Sequence, residues 1–401
     1  MAATKKGVWD LQDVRDKQLA SEWAYGSNAD PGQLWATGYS NWGKLGQNDR
    51  TYRSSPVQVG TEDTWMQIDG GGFDSVGGVK SDGTLWTWGQ NWMGKLGLNQ
   101  GGTPGVSRSS PTQVGTDTTW VAYSGFEAGS YGIKTDGTLW GWGVQGQWGS
   151  PSGSPAGHRS SPTQVTGTWG AEKGKIATWT DTFAAISSSG KLYAWGRNYS
   201  GHLGQNQAEA QNYSENAPLL IGTDTTWDTV GGVTDQGYYM PTALKTDGTL
   251  WSWGSGSDGQ LGNNDTVSRS SPTQIGTDTT WSNQFAGEGS KKNKLAIKTD
   301  GTLWAWGGQD EGQLGLNQSG THYSSPTQVG TETTWTAISA ASSVVGTKSD
   351  GTLWVWGQAS SGQLGQNNVI ERSSPTQIPG TNWNSTAINA LQANIFALRY
   401  S

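Results

Sequence analysis

One sequence unit recurs seven times along this chain of 401 residues and restricts its fold more than any other feature. The unit contains a Leu-aromatic step, usually Leu-Trp-x-Trp-Gly, and most copies have an Asp-Gly dipeptide just before it. The steps follow one another at intervals of 50 to 58 residues and begin at Leu34, Leu85, Leu139, Leu192, Leu250, Leu303 and Leu353. Because a repeat of this length cannot bury its apolar face alone, the units must pack against one another.

Each unit contains a predicted β-hairpin. In the sixth unit, two runs rich in apolar residues, 295–299 and 302–306, flank Asp300-Gly301. Asp-Gly between such runs is a strong hairpin signal, because a two-residue type I′ turn needs positive φ at both central positions. We therefore assign the repeated Asp to turns, where its carboxylate bonds its own backbone and does no chemistry.

Tryptophan supplies the apolar area that the other large residues do not. The chain has 25 Trp and 62 Gly, and 19 of the Trp occupy three repeating positions: the two of the Leu-Trp-x-Trp step and one in a Thr-Thr-Trp context. Each buried Trp removes roughly 150–250 Å² from water. Glycine recurs in a Gly-x-Leu-Gly corner after the hairpin, where the backbone must bend. Trp is therefore structural by default.

Short strands with glycine-rich turns predict an all-β fold, and about fifty residues suffice for one four-stranded sheet. A ring of seven sheets is a β-propeller, and an open β-solenoid is the alternative. Residues 30–35 begin just past the turn, whereas residues 395–399 match the strand that precedes it. We predict that residues 30–401 form a seven-bladed β-propeller closed by pairing of the N- and C-terminal strands, which leaves no free edge.

Residues 185–204 follow the pattern Ala-Ile-x-x-x-Gly-x-Leu-Tyr-x-Trp-Gly-x-Asn-x-x-Gly-x-Leu-Gly. This pattern resembles the repeat of the regulator of chromosome condensation family, and the resemblance covers residues 30–401. It implies a seven-bladed propeller of a kind that serves exchange factors, scaffolds and binding proteins. The chain departs from the family where a His often precedes the turn: here the strand ends in Lys80, Lys134, Lys245, Lys298 or Lys348.

Residues 1–29 stand outside the repeat and predict a short helix with Asp10 as N-cap and Asp13/Lys17 as an i,i+4 pair. The helix either packs on one propeller face or anchors the chain to another protein. Its start, residues 7–14, resembles the starts of structural proteins of tailed bacteriophages, especially marine ones. The candidate anchor residues are Val8, Trp9, Leu11, Val14, Leu19 and Trp23.

Charge and composition exclude several classes of partner and site. The net charge is -7 with no long Lys/Arg run, so nucleic acid is not an expected partner. No stretch of 18 apolar residues and no secretory signal occurs, so no membrane span or export is expected. The chain has no Cys, and His158, His202 and His322 lack metal-ligand spacing, so we expect no metal and no cofactor.

Two polar sets allow both a structural and a ligand interpretation. Asn263-Asn264-Asp265 forms either a polar turn or part of a calcium site, and the turn is favoured because spaced acidic ligands are missing. The second set either ties its loops to a neighbouring blade or forms an anion-binding ring, and the tying role is favoured. Its members, each preceding Ser-Ser-Pro, are Arg53, Arg108, Arg159, Arg269 and Arg372.

The departures from the repeat supply the candidate contact residues, because loops that break symmetry often bind ligands. The third unit inserts residues 147–158, and the fourth carries a long loop at 205–218. Aromatic residues among amides and hydroxyls suit stacking on sugar rings, and packing between the two loops is the other interpretation and the favoured one. The candidate contacts are Trp148, Tyr199, His202 and Tyr213, with Trp42 and Trp92 assigned to one shared loop position in units one and two.

Together these patterns predict a non-enzymatic structural protein of a bacteriophage virion, on the capsid surface or the tail. It would be made in the host cytoplasm, bind other virion proteins through residues 1–29, and contact a host-surface glycan or protein. The alternative is an intracellular protein-binding scaffold or guanine-nucleotide-exchange-type regulator that uses one propeller face. A hydrolase hidden in the blade loops is a third class, disfavoured because most Asp residues belong to turns.

Overall fold

The computed structural model describes residues 31–71, 74–100, 105–126, 129–144, 157–179, 182–198, 200–207, 213–231, 240–288, 292–391 and 393–400. Within them the chain forms 28 strands in seven four-stranded antiparallel sheets. The predicted all-β seven-bladed propeller is therefore confirmed. The predicted N-terminal helix and its anchor residues Val8, Trp9, Leu11, Val14, Leu19 and Trp23 lie outside the described residues.

Each blade is one sheet. Blade 1 combines β1 (Gln33–Gly38) and β2 (Arg53–Gln58) with β27 (Trp383–Leu391) and β28 (Asn394–Arg399). Blade 2 contains β3 (Trp65–Gly71), β4 (Ser75–Lys80), β5 (Leu85–Gly89) and β6 (Arg108–Gln113). Blade 3 contains β7 (Trp120–Gly125), β8 (Gly129–Lys134), β9 (Leu139–Gly143) and β10 (Arg159–Val165). Blade 4 contains β11 (Ile176–Trp179), β12 (Thr182–Ile186), β13 (Leu192–Asn198) and β14 (Tyr213–Leu220).

Blade 5 contains β15 (Trp227–Gly231), β16 (Thr242–Lys245), β17 (Leu250–Gly254) and β18 (Arg269–Gln274). Blade 6 contains β19 (Trp281–Glu288), β20 (Asn293–Lys298), β21 (Leu303–Gly307) and β22 (Tyr323–Gln328). Blade 7 contains β23 (Trp335–Ala340), β24 (Ser343–Lys348), β25 (Leu353–Gly357) and β26 (Arg372–Ile378). Two single 3-10 turns follow β1 and β5, at Asn41–Gly43 and Trp92–Gly94.

The innermost strand of each blade contacts the innermost strand of the next. These contacts run through β3, β7, β11, β15, β19, β23 and β27 and return to β3. A cycle of this kind closes a ring, so the innermost strands surround a central channel. A linear solenoid would leave its first and last units apart.

The ring closes inside blade 1. Strand β1 pairs with β28 over six residues, from Gln33 opposite Arg399 to Gly38 opposite Asn394. The predicted pairing of the N- and C-terminal strands is therefore confirmed. Blade 1 cannot form from either end of the chain alone, because two of its strands come from each end.

The hairpin turns are confirmed, although their type differs from the predicted one. In blade 2 the loop is Ser81-Asp82-Gly83, and the Gly83 amide donates to the Lys80 carbonyl over 2.9 Å. Only the glycine has positive φ (75°). A three-residue loop of this kind is a type I turn followed by a residue in the left-handed region, which spares the Asp any backbone strain.

The second Trp of the Leu-Trp-x-Trp step fastens neighbouring blades together. Trp88 is fully buried and donates its indole N–H to the Lys44 carbonyl in the corner of blade 1 over 2.8 Å. The same bond joins Trp306 of blade 6 to the Gln260 carbonyl of blade 5 over 3.0 Å. Five of the six indoles at this position satisfy a buried carbonyl of the preceding blade, and Trp195 donates to the Tyr131 hydroxyl instead, which explains why the repeat keeps the residue.

A second contact between blades comes from the loop after each Gly-x-Leu-Gly corner. Asn264 takes positive φ (61°) and donates its amide to the Ser324 carbonyl on the next blade over 2.8 Å. Asp265 accepts the Val267 amide over 2.9 Å and pairs with Arg269 over 2.6 Å. The polar-turn interpretation of residues 263–265 is therefore confirmed.

The arginines before Ser-Ser-Pro also tie loops, but within their own blade. Arg53 pairs with Asp49 over 2.7 Å and donates to the Thr51 carbonyl over 3.0 Å. Arg108 donates to Gln100 over 2.6 Å. The loop-tying interpretation is confirmed for these residues, whereas the predicted partner in a neighbouring blade is wrong, because the acceptor lies a few residues earlier in the same loop.

Candidate functional site

The propeller has two different ends. The turn face carries the turns between the second and third strands and the segments that lead into each new blade. The loop face carries the turns between the first and second strands and the longer loops between the third and fourth strands. The described candidate contacts Trp42, Trp92 and His202 lie between third and fourth strands, and thus at the loop face.

The turn face is built around paired charges. Five lysines that end second strands lie between the indoles of their blade: the Nζ of Lys134 is 4.9 Å from the Trp120 ring and 4.1 Å from the Trp140 ring. We call each such group a cation box. Every one of these lysines also pairs with a carboxylate of the preceding segment. The pairs are Lys80–Glu62, Lys134–Asp117, Lys245–Asp224, Lys298–Asp278 and Lys348–Glu332.

The Asp carboxylate of each Asp-Gly turn likewise accepts hydrogen bonds within its own turn. Asp82 Oδ1 accepts the Thr84 hydroxyl over 2.6 Å and the Thr84 amide over 3.0 Å. The hydroxyl bond is the main reason that the pKa of Asp82 lies below its usual range. The assignment of these carboxylates to turns is confirmed. Among the described residues, most charged side chains of the turn face thus have an ion-pair or hydrogen-bond partner.

The loop face of blade 1 carries an aromatic patch, which we define as Tyr39, Trp42, Arg50 and Tyr52. Trp42 is 37% exposed and Tyr52 is 50% exposed. The Arg50 guanidinium lies 5.5 Å from the Trp42 ring, and the Tyr39 and Tyr52 rings are 4.7 Å apart. Burial, helped by the bond to Tyr52, raises the pKa of Tyr39 to about 12, so the Tyr39 phenol stays neutral.

Exposed aliphatic side chains also occur in loops of other blades. Each precedes the Arg that begins a fourth strand, and each is 57–62% exposed. They are Val106 in blade 2, Val267 in blade 5, and Val369 and Ile370 in blade 7. Single exposed aliphatic residues are common on protein surfaces, so they do not by themselves mark a binding site.

Trp92 does not share the position of Trp42, as the sequence suggested. Trp42 is the second residue of its 3-10 turn, with φ 57°, and its counterpart in blade 2 is Met93, with φ 55°. Trp92 is one residue earlier and packs against the apolar cluster of blades 3 and 4. The one-residue difference reverses the side chain, so Trp92 belongs mainly to the core.

His202 was predicted as an exposed contact, and this prediction is wrong. It occupies the variable position of the Gly-x-Leu-Gly corner, and its carbonyl accepts the Trp253 indole N–H over 2.8 Å. That bond presses the corner against blade 5 and buries the imidazole completely. Every described corner buries its polar residue in this way, which the sequence did not reveal. The six are Lys44, Lys95, His202, Gln260, Gln313 and Gln363.

His202→Gln, which introduces the residue that blades 5 to 7 use, is expected to reduce the loss of stability in acid. Burial lowers the pKa of His202 to about 3. Below pH 6.5 the His202 imidazole therefore binds a proton in the unfolded chain but not in the folded chain. The free energy of unfolding falls by about 1.4 kcal/mol per pH unit below that point. Thermal unfolding at pH 7.5 and 5 checks this, and equal acid sensitivity in both proteins would contradict it.

Besides that of His202, burial shifts the pKa of another polar side chain, Asp69 at the central channel. Asp69 of β3 faces the channel, and its Oδ1 accepts the Gly70 amide over 2.7 Å and the Asn389 amide over 3.2 Å. Burial raises the pKa of Asp69 to about 6, against the opposing effects of the Gly70 bond and the Lys173 charge. The corresponding positions in blades 4 to 6 carry small apolar residues or glycine. They are Ala177, Gly231 and Ala286.

The remaining candidate contacts and absences concern defined parts of the chain. Trp148, Tyr199 and the side chain of Tyr213 lie outside the described residues. His158 and His322 are exposed, as predicted for loop residues. Among the residues that the structure describes, no group of three or more His, Asp or Glu could hold a metal ion, and no helix is long and apolar enough to span a membrane.

Comparison with known proteins identifies one family of domains and several relatives. A sequence model of the RCC1-like domain matches residues 33–394. The RCC1 domain-containing protein RUG3, mitochondrial, of Arabidopsis thaliana is 28% identical over 240 residues, which are 59% of this chain and 53% of the relative. The ultraviolet-B receptor UVR8 of Arabidopsis thaliana is 26% identical over 300 residues, or 72% and 63%. The chain thus spans less than two thirds of either relative.

A solved structure has the same architecture. Prp20p from Saccharomyces cerevisiae, described with its binding properties to Gsp1p and histones, superposes with a TM-score of 0.78 at 17% identity. The alignment covers 94% of each chain. At this identity the likeness shows the shared fold, and the binding properties remain those of the yeast protein.

Proposed function

The chain belongs to the RCC1-like domain family, and we propose that it is a non-enzymatic protein-binding scaffold that engages its partner through the loop face of the propeller. Propellers of this family serve as cellular regulators and binding proteins. The proposal adds a surface to this general role. It rests on the different use that the two faces make of their side chains.

The aromatic patch on blade 1 carries the proposal. Trp, Tyr and Arg are the residue types enriched at energetic hot spots of protein interfaces, and the patch combines all three in exposed positions. The rings are already held against one another, so binding would cost little side-chain entropy. On the turn face, by contrast, the five lysines of the cation boxes are paired with carboxylates and the aspartates of the turns are hydrogen-bonded.

The double variant Trp42→Ala/Tyr52→Ala is expected to lose at least about tenfold in partner affinity, because hot-spot truncations commonly cost about 2 kcal/mol or more. Leu220→Ala is the matched control, since Leu220 is also 37% exposed but ends its strand near the turn face. Quantitative mass spectrometry of proteins that co-purify with each variant identifies the partner, and titration with that partner gives the affinity. Equal recovery with the patch variant would contradict the proposal.

Guanine-nucleotide exchange is one specific form of this role. It would require that the partner is a GTPase and that the propeller accelerates release of its bound nucleotide. Release of a fluorescent nucleotide from the identified partner, with and without the propeller, measures this directly. A partner that binds no nucleotide would leave the scaffold role standing and would remove the exchange role.

The virion role predicted from residues 1–29 receives no support from the relatives, which favour the intracellular scaffold. Residues 1–29 lie outside the described part of the chain, so the anchor and its virion partners stay a prediction. The same holds for glycan contact at the loop face, where Trp42 is the described exposed candidate. Mass spectrometry of purified phage particles is the measurement that addresses the virion role.

A further inference from the structure

Blade 1 contains a sixth cation box that differs from the other five. Arg399 takes the place of the lysine and lies 5.8 Å from the Trp35 ring and 5.5 Å from the Trp383 ring. In the other five boxes the cation pairs with a carboxylate. Among the described residues, no carboxylate pairs with Arg399. Within the described part of the chain, the guanidinium lies between two indoles and has no carboxylate as counter-charge.

The acid is missing because the segment before the blade is shorter. Blade 7 is preceded by Gly-Thr-Glu-Thr-Thr-Trp, residues 330–335, and Glu332 pairs with Lys348. The corresponding segment of blade 1 is Pro-Gly-Thr-Asn-Trp, residues 379–383, without an acid. Blade 4 shows the balanced alternative: its segment has no acid, and Ser187 replaces the cation. Blade 1 has lost the acid and kept the cation.

The same box lacks a second polar partner. In five blades the first indole of the Leu-Trp-x-Trp step donates to a Thr two residues earlier, as Trp140 does to Thr138 over 2.9 Å. In blade 1 that position is Gln33, and the Trp35 indole N–H is buried without an acceptor. The Thr-Thr-Trp indoles of the other boxes, such as Trp120, also have no acceptor, so the loss of the Thr partner at Trp35 is what sets this box apart.

A groove opens at this box. It has a volume of about 380 Å³ and lies between blades 7 and 1. Its lining residues include Pro56, Asn367, Trp383, Trp35 and Arg399. A groove of about 520 Å³ between blades 2 and 3 has the matching residues Pro162, Asn99, Trp120, Trp140 and Lys134, together with Asp117. These residues of the two grooves correspond, with Lys134 in place of Arg399, and Asp117 has no counterpart among the residues that line the groove between blades 7 and 1.

We propose that the groove between blades 7 and 1 binds a carboxylate of a partner protein, an Asp or Glu side chain in an extended acidic segment, on the guanidinium of Arg399. The ligand would supply from outside the charge that Glu62, Asp117 and their counterparts supply from within. A carboxylate is the expected anion because the repeat itself uses Asp or Glu against this cation in all five other boxes. Arginine adds a bidentate geometry that matches a carboxylate.

The site can be tested on the full-length chain with a short peptide. The probe is acetyl-Gly-Ser-Glu-Ser-Gly-amide, and its control has Gln in place of Glu. Binding is followed by the ¹⁵N NMR cross-peak of the Arg399 Nε–H, assigned with Arg399→Lys. We expect the Glu peptide to bind at least about tenfold more tightly than the Gln peptide, because hydrogen bonds between charged groups are the stronger kind.

A matched pair of variants fills the site from within. A Cβ added to Gly380 would lie 3.5 Å from the Arg399 Nη2, so Gly380→Asp places a carboxylate beside the guanidinium. Gly380→Asn has the same shape and the same backbone strain at φ +105°, without the charge. We expect Gly380→Asp to abolish binding of the Glu peptide and Gly380→Asn to keep it. If both variants lose or both keep binding, the proposal is wrong.

Two further outcomes would overturn it. Equal affinity for the Glu and Gln peptides would show that the groove does not distinguish a charged side chain from a neutral one. Tighter binding of inorganic phosphate than of the Glu peptide would show that carboxylate is not its ligand. Asp30 and the terminal carboxylate lie outside the described residues, so the titration is repeated with Asp30→Asn and with a Gly-Ser extension after Ser401. Unchanged affinity is expected, whereas a tenfold gain in either would show that the chain itself supplies the acid.

Discussion

Deletion of the last strand, Asn394–Arg399, is expected to abolish the cooperatively folded state. Strand β28 pairs with β1 on one side and β27 on the other, and it buries Ile395, Phe396 and Leu398 in the core. Without it, blade 1 splits into two fragments with unpaired edges, which promote aggregation. Circular dichroism and calorimetry on the truncated chain are expected to show no thermal unfolding transition.

A circular permutant provides the control for this deletion. It joins Tyr400 to Pro31 through a short Gly-Ser linker and opens the chain between Ser319 and Gly320, in an exposed loop of blade 6. All strands are kept, so the permutant is expected to unfold cooperatively. If the truncated chain keeps a transition close to that of the full chain, closure by β28 does not hold the ring together.

Trp88→Ala is expected to lower the free energy of unfolding by about 3–5 kcal/mol, the range for large aromatic residues removed from a core. Trp88 is fully buried, packs edge-on against Trp65 and Phe396, and bonds the Lys44 carbonyl across the gap between blades 1 and 2. The variant leaves both a cavity and an unsatisfied carbonyl. Denaturant unfolding followed by fluorescence and circular dichroism measures the loss.

Trp86→Ala is the matched comparison two residues away on the same strand. Trp86 is only partly buried, and its indole N–H bonds to Thr84 within the same blade, so a smaller cost of about 1–2 kcal/mol is expected. The difference between the two variants isolates the contact between blades. Equal losses would mean that the second Trp of the step stabilises its own hairpin and not the junction.

Most of the architecture was predictable because the same sequence signals recur in the seven repeats. The Leu-Trp-x-Trp step, the Asp-Gly turn and the complementary chain ends predicted blades, hairpins and ring closure, and all three are confirmed. The turn type was mispredicted because Asp-Gly alone does not fix loop length. The Thr that follows, such as Thr84, captures the Asp side chain and favours the three-residue loop.

The candidate site was less predictable, because exposure depends on neighbours that are distant in sequence. Trp42 and Trp92 were assigned to one loop position, but Trp92 lies one residue earlier, and this offset is visible in the sequence. His202 looks like a loop residue, yet the Trp253 indole of the next blade bonds its carbonyl and its corner is buried. Arg399, which pairs with no carboxylate among the described residues, was also missed, since its box joins Trp35 and Trp383 from opposite ends of the chain.

The sequence by itself determined the number of blades, the four-stranded blade and the closure, because turns, periodicity and buried Trp positions are local features that repetition reinforces. Only the tertiary structure decided which polar side chains have hydrogen-bond or ion-pair partners within the protein and which do not. Some partners are local, as Thr84 is for Asp82, and these follow from the sequence pattern. Others lie on the adjoining blade, as the Lys44 carbonyl does for the Trp88 indole, within the roughly 3 Å range of a hydrogen bond, and no local pattern records them.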